Sequence, residues 1–321
     1  MGELNITNLS FAYGQNNILS NLNLSIPKGE FFTLLGPSGC GKTTLLKLIA
    51  GFLKPQQGTI FLDGKNITEL SSSQRDIGTV FQNYALFPHL NVEENIAFGL
   101  KIRNFSLKAI HEKVNDYLAL VNLVAYKKKQ ISELSGGQQQ RVALIRSLIV
   151  EPKVLLLDEP MSNLDVTLRE EMCAELKRIQ KALKITTVFV THNQEEALAV
   201  SDRVALMNNG VFQQIAPPEE IYKHPINAFT AAFLGKINIL PADFMSSYGL
   251  KNLPSQYIRP EQIQLYTTPR ENSVPATIES IAFMGSLITY RCLVDKVVLT
   301  VTTLSSSAPT FHLHDKVYLH F

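Results

Sequence analysis

The sequence predicts an α/β fold in which a mostly parallel sheet carries helices on its faces, with a small all-β domain following it. Three observations predict this. A glycine-rich loop at residues 36–43 joins a strand-like run to a helix-like run. Strand-like and helix-like runs alternate over residues 154–207, as βα units that build parallel sheets do. Beyond about residue 240, short β-like runs are separated by turn residues, a pattern that favours a small barrel or sandwich.

Residues 3–33 alternate apolar and polar positions around turn residues Gly14-Gln15-Asn16-Asn17 and Pro27-Lys28-Gly29. They read as an antiparallel strand layer. Glu30 to Leu35 is apolar enough for a buried strand, and Gly36 to Thr43 then reads GPSGCGKT. This fills every fixed position of G-x-x-x-x-G-K-[ST], the P-loop pattern. Gly36, Gly39 and Gly41 let the backbone wrap closely around a polyphosphate with its N–H groups inward. Pro37, Ser38 and Cys40 complete the loop. Lys42 would neutralise β and γ phosphates, and Thr43 offers a hydroxyl to Mg²⁺. Thr44 to Ala50 continues as a helix whose positive N-terminal end faces the anion. ATP and Mg²⁺ are the expected ligands.

After Thr59–Gly64 the signal is mainly helical from about 93 to 123. At Leu134-Ser135-Gly136-Gly137-Gln138-Gln139-Gln140-Arg141, Ser135 is a natural N-cap, and two glycines expose N–H groups at a helix start. This gives the chain a second anion site. Val154 to Pro160 is a short apolar strand ending in Asp158 and Glu159. Asp158 can hold Mg²⁺ as a Walker B aspartate does. Glu159 is placed to orient, or take a proton from, an attacking water.

These motifs together resemble the ATP-binding subunits of ABC transporters over roughly the first three quarters of the chain, with LSGGQ as that family's signature. The resemblance implies a P-loop ABC ATPase domain with an antiparallel β layer and a helical subdomain, followed by an OB-like accessory domain. It implies a head-to-tail homodimer, in which the P-loop of one subunit and Ser135, Gly136, Gly137 and Gln138 of the other close on one ATP. By the same resemblance Tyr13 stacks on adenine, Gln82 reaches Mg²⁺ and the attacking water, Ser162-Asn163-Leu164-Asp165 is the D-loop, and His192 contacts the γ-phosphate. Two departures are visible. Asn193 stands where the family more often has Asp, and Ile145 interrupts the usual run of small residues.

The expected domains are 1–240, with a helical subdomain at about 93–150, and 241–321. Ser246-Ser247-Tyr248-Gly249 and Pro254 read as linker, and Tyr257-Ile258-Arg259-Pro260-Glu261 resembles the motif opening the accessory domain. Strands are expected at Val274–Phe283, Leu287–Val294, Val297–Thr303 and Val317–Phe321. His312-Leu313-His314 alternates as a solvated edge strand would.

Gln74-Arg75-Asp76-Ile77, Ala199-Val200-Ser201-Asp202 and Asn238-Ile239-Leu240-Pro241-Ala242 are similar to ferric-iron import ATPases. Tyr84 to His89 is shared with polyamine and sugar or sugar-phosphate importers. The implied partners are two membrane permeases, meeting the Gln82 to Pro88 region through exposed apolar side chains, and indirectly a periplasmic substrate-binding protein. The implied location is peripheral, on the cytoplasmic face of the cell membrane.

A non-transport ATPase of the same superfamily, acting on nucleic acid or ribosomes, is the alternative from another class. The net charge of +2 argues against a binder working mainly by phosphate neutralisation. No heptad insertion separates the P-loop from the signature, and the chain has one cassette where ribosome-associated relatives normally have two. Cys40, Cys173 and Cys292 lie far apart, with no CxxC spacing to suggest a metal.

Overall fold

The structure, a computed structural model, describes residues 2–162, 164–250, 253, 255–306 and 311–321. Asn163 of the expected D-loop and Pro254 of the expected linker lie outside the described residues. Two compact units, Met1–Glu219 and Glu220–Phe321, divide the chain.

The first unit opens with β1 (Leu4–Tyr13), β2 (Asn16–Ile26), β3 (Phe31–Leu35), α1 (Lys42–Ala50), β4 (Gln57–Leu62), β5 (Lys65–Asn66) and β6 (Ile77–Val80). The helices α2 (Val92–Ile102), α3 (Leu107–Leu120) and α4 (Gly136–Leu148) follow. Next come β7 (Val154–Asp158), α5 (Val166–Leu183), β8 (Thr186–Thr191), α6 (Gln194–Val200), β9 (Arg203–Asn208) and β10 (Val211–Ala216).

An antiparallel sheet has the order β2-β1-β4-β5. The larger sheet runs β10-β9-β3-β8-β7-β6, parallel except for β10. Strands β3, β7 and β8 are covered on both faces, which is why they read as unbroken apolar or Thr runs instead of alternating. One face of the sheet shares a core with α1 and the antiparallel layer, through Phe32, Leu34, Leu45, Ile49, Ile6 and Leu24. The other packs on α2, α4 and α5 through Phe31, Leu157, Phe189, Ile96, Ile145 and Leu176. Ile145, which breaks the small-residue run after the signature, is fully buried there.

Arg75 gives the end of α1 an unusual finish. Its side chain is 1% exposed. It donates from Nη1 to Leu48 O at 2.7 Å and Ile49 O at 2.9 Å, from Nε to Leu70 O at 2.8 Å, and from Nη2 to Thr68 O at 2.7 Å. The guanidinium thus satisfies carbonyls left open at a helix C-terminus, where the helix dipole favours a cation. Gly51 follows at φ 81°, and a Cβ there would lie 2.6 Å from Arg75 Nε, so only glycine admits the contact. Arg75→Met strands those buried carbonyls. It is expected to lower unfolding free energy by about 3 kcal/mol or more, measured by urea titration.

At the division between the units lies α7 (Pro218–Lys223). The second unit contains α8 (Ala228–Phe233), β11 (Asn238–Ile239), α9 (Ala242–Ser247), β12 (Tyr257–Ile258), β13 (Gln264–Tyr266), β14 (Val274–Met284), β15 (Leu287–Val294), β16 (Val297–Leu304) and β17 (Lys316–His320). An antiparallel sheet in the order β13-β17-β14-β15-β16 encloses Ile278, Tyr290, Cys292, Val301 and Leu319. The longer strands fall close to the expected spans.

Two readings are corrected here. Ser246 and Ser247 are not linker but the last turn of α9, held because Phe244 and Tyr248 pack into this core and Tyr248 donates its hydroxyl to Asp295 at 2.5 Å. His312 to His314 is a turn and not an edge strand. Asp315 Oδ2 accepts from His312 N at 2.7 Å, and His314 sits at φ 70°, outside the extended region of a regular strand. Arg259, buried at 2% exposure, anchors the motif around it by donating to Tyr222 O, Ala231 O and Lys236 O, with its guanidinium 4.2 Å from the Tyr222 ring centre.

Candidate active site

Parallel register brings three loops to one edge of the larger sheet. Leu35, the last residue before the glycine-rich loop, pairs with Thr191, and Asp158 pairs with Val190. Ligands of open α/β sheets bind beyond such carboxyl ends.

The loop is shaped by close approaches. A Cβ on Gly36 would lie 2.4 Å from Met207 O, and one on Gly41 (φ 107°) 2.6 Å from a methyl of Leu19. Gly39, at φ 80°, has nothing within 4 Å of its Cβ position and faces open space. Lys42 Nζ folds back to donate to Gly36 O at 2.8 Å and Pro37 O at 2.9 Å, which fixes the loop around its ammonium group. Cys40 is a buried spacer 3.8 Å from that nitrogen.

The helix starts differ in a telling way. The N-caps of α4, α5 and α6 each carry a side-chain acceptor: Ser135 Oγ for Gln138 N at 3.4 Å, Asp165 Oδ1 for Leu168 N at 3.0 Å, and Asn193 Oδ1 for Glu196 N at 3.2 Å. At α1 the N-cap is Gly41 with no side-chain cap. Its first N–H groups, Lys42 to Thr44, are left to an anion. Asn193 therefore serves the capping role that an Asp would.

Thr43 Oγ1 donates to Asp158 Oδ1 at 3.1 Å. Burial pushes the Asp158 carboxyl above its usual range, opposed by the Thr43 hydrogen bond and raised further by Glu159. A half-buried carboxylate beside a hydroxyl is a hard oxygen donor pair that a small divalent cation suits. Next to it, Glu159 stands at φ 44°, strained for a non-glycine residue, with its N–H on Val190 O at 3.0 Å. Its Oε2 lies 3.1 Å from His192 Nδ1.

Lys42, Thr43, Asp158, Glu159 and His192 thus form one cluster. Among the described residues, Tyr13, Gln82, the Ser135–Gln138 turn and Asp165 share no hydrogen bond or ion pair with it. Tyr13 is half exposed at the end of β1, edge-on to Phe11 at 4.8 Å. Gln82 is exposed in the turn after β6. Gln138 spends its side chain on Ser135 N at 3.0 Å, and so completes a capping box.

The segment after Gln82 corrects an expectation. Its large apolar side chains are not freely exposed, although Ala85 and Pro88 are. Tyr84 is buried, while Leu86 and Phe87 are half-buried. The Phe87 ring lies 4.5 Å from Phe98 and 5.3 Å from the Arg146 guanidinium, which donates to Ala85 O at 2.8 Å and Tyr84 O at 3.0 Å. Asn95, fully buried, accepts from Phe87 N and donates to Phe87 O and Leu90 O. The exposed apolar surface lies beyond, at Phe98, Ile102, Phe105 and Leu107, the last 82% exposed.

Residues 19–162 match the ABC transporter family, and residues 257–321 match the TOBE domain. A spermidine/putrescine import ATP-binding protein, PotA of Acetivibrio thermocellus, is 48% identical over 298 residues, covering 88% of this chain and 84% of that protein. The chain belongs to the ABC transporter family. An Fe(3+) ions import ATP-binding protein, FbpC of Fusobacterium nucleatum, is 46% identical over 299 residues, 88% of this chain and 81% of that protein. The structure of cbiO1 from Clostridium perfringens, part of the ABC transporter complex cbiONQ, superposes with a TM-score of 0.64 at 32% identity, over 68% of this chain and 89% of that one. As an ABC transporter ATPase, the chain takes ATP as its ligand. The five-stranded sheet of its second unit agrees with a TOBE domain of OB-like build.

Arg146, Arg169 and Glu196 escape a motif search because each has a partner distant in sequence, and Asn95 because its partners are backbone groups of an irregular turn. The one local hint is a charged residue one turn inside each of α5 and α6.

Proposed function

We propose that this chain is the ATP-hydrolysing subunit of a binding-protein-dependent importer in the bacterial cell membrane, with Fe(3+) as cargo. The observation that carries the hydrolytic reading is the cluster at the sheet edge. There an uncapped helix start, the Thr43–Asp158 pair and the Glu159–His192 pair converge on one space.

The N–H groups of the loop and of α1, with Lys42, would hold the β and γ phosphates of ATP. Thr43, Asp158 and the amide of Gln82 would hold Mg²⁺, which when bound supplies charge neutralisation for phosphoryl transfer. Glu159 orients the attacking water and accepts its proton. His192 fixes the Glu159 carboxylate through Nδ1 and turns its other ring nitrogen to the γ-phosphate. Tyr13 stacks on adenine, and Ser135, Gly136, Gly137, Gln138 and Asp165 act on the ATP of a second copy in a homodimer.

Within the Gln82 to Pro88 segment, the carbonyls of Tyr84 and Ala85 accept from Arg146 on the signature helix α4. A change at the γ-phosphate side of Gln82 is therefore felt by that helix and by the neighbouring apolar surface, where two permease subunits would dock. The substrate-binding protein acts through the permeases. No helix among the described residues is long and apolar enough to cross a membrane, so the pore would belong to those partners, and this chain would sit at the cytoplasmic face. No nucleic acid enters this reading.

Polyamine import is the second reading, favoured by the 48% identity to PotA against 46% to FbpC. Reconstitution with the co-purified permeases decides it by uptake of Fe(3+), spermidine or a sugar phosphate; recovery of ribosomes or nucleic acid in place of permeases would overturn transport altogether. Phe98→Glu with Ile102→Glu places charge on the exposed patch. This variant is expected to lose permease capture and uptake while the isolated subunit keeps its ATPase rate.

A further inference from the structure

Between the D-loop and the histidine turn runs a chain of polar contacts that none of the motifs includes. Arg169, on the first turn of α5, donates from Nη2 to Leu164 O at 3.1 Å, next to Asp165. Its Nε lies 3.3 Å from Glu196 Oε1, an ion pair whose N–H is not aligned for a hydrogen bond. Glu196 is only 7% exposed, and its Oε2 accepts the Thr191 hydroxyl at 2.5 Å. Thr191 Oγ1 in turn accepts from Asn193 N at 3.0 Å, while Glu196 N donates to Asn193 Oδ1 at 3.2 Å.

These bonds close a ring around the turn from Thr191 to Glu196. His192 is the residue inside that ring whose side chain points elsewhere, half exposed and 3.1 Å from Glu159. We infer that Arg169, Glu196 and Thr191 are positioning residues that tie the D-loop at Leu164 to the turn holding His192. The inference rests on the reading of Glu159 and His192 as hydrolytic.

The physical case is that a buried carboxylate persists only where it is paired and hydrogen-bonded. Burial pushes the Glu196 carboxyl up, and the Thr191 hydroxyl and Arg169 oppose that shift. Glu196 is thus committed to two partners on two different elements, Thr191 at the end of β8 and Arg169 on α5, and neither can shift without unpairing it. A core leucine would fill the same space, but would not fix which atom of the turn faces which atom of α5. The pair borders an open groove of about 690 Å³ between α5 and α6, lined also by Cys173 and Asn193, so shorter or uncharged side chains fit without overpacking. Because Asp165, the N-cap of α5, is proposed to act on a second subunit's ATP, the link gives that subunit's approach a direct route to the histidine.

The test is steady-state hydrolysis by the full chain, with ATP binding measured separately. Glu196→Gln and Arg169→Lys are each expected to lower kcat about 10- to 100-fold with ATP affinity within about twofold, since the loop at 36–43 is untouched. Arg169→Lys keeps the charge but cannot reach Leu164 O and Glu196 together. Thr191→Val keeps the ion pair, loses only the hydroxyl, and serves if either charge variant fails to fold.

The discriminating background is His192→Ala. If the three residues act through the histidine, Glu196→Gln costs nothing further there. An undiminished loss in that background, or full kcat in the single variants, overturns the inference. The site reading fails separately: near-normal turnover by Glu159→Gln removes the hydrolytic role itself, whereas silent Glu159→Gln with a fully active Glu196→Gln removes only the link.

Discussion

Glu159→Gln is expected to bind ATP normally and to hydrolyse it more slowly by a factor on the order of 10²–10⁴. The substitution keeps side-chain size and one carbonyl-type oxygen, so the strained backbone at φ 44° and the bond from Glu159 N to Val190 O need not change. What it removes is the basic oxygen. A glutamine cannot take the proton of an attacking water, and its amide alters the 3.1 Å contact with His192. Phosphate contacts through Lys42 and the start of α1 lie on another element and survive. The variant should therefore accumulate as an ATP-bound dimer, visible by size-exclusion chromatography with ATP and absent with ADP. Lys42→Ala separates the two functions from the other side. Without the ammonium group that ties Gly36 O to Pro37 O, the loop loses both its phosphate contact and its internal brace, and binding itself weakens. Near-normal turnover by purified Glu159→Gln would place the base elsewhere.

The parts of this site that the sequence makes legible are those whose geometry is local. A loop with glycines at 36, 39 and 41 must adopt backbone angles few other residues allow, so its shape is written in eight consecutive residues. Asp158 and Glu159 follow from an apolar run with the composition and length of a buried strand. The longer strands of the second unit were legible because inward and outward residues alternate, as in Leu287–Val294.

What stayed hidden depends on partners far along the chain. Arg146 clamps Ala85 O across 61 positions, and with Phe98 it turns the supposedly exposed Phe87 into a half-buried residue. Nothing local in the sequence marks Arg75 as the residue that meets the end of a helix at Leu48 and Ile49, 27 and 26 positions away. Ser246 and Ser247 look like linker by composition alone. A short helix survives there because tertiary packing of Phe244 and Tyr248 outweighs the weak propensity of serine.

Mixing Lys42→Ala chains with Ser135→Arg chains is expected to restore ATPase activity that neither variant has alone. Each polypeptide carries one P-loop and one signature, and the cluster around Lys42 includes no atom of the Ser135–Gln138 turn among the described residues. In a head-to-tail dimer with two-fold symmetry, each ATP would lie between the loop of one copy and the signature of the other. A heterodimer of the two variants then contains one site with both defects and one with neither. Random pairing makes half the dimers mixed, and with independent sites the recovered rate is about one quarter of wild type. Ser135→Arg is the stringent partner. It removes the α4 cap, a cost of about 1 kcal/mol, and fills the space in front of Gly136 and Gly137 with a long side chain, while the loop at 36–43 stays intact. Two different affinity tags isolate the heterodimer, so the rate can be referred to mixed dimers alone. Complete inactivity of tandem-purified heterodimers would overturn the shared site. Activity rising in strict proportion to protein concentration in the wild-type chain, down to concentrations where only monomer is present, would do so independently.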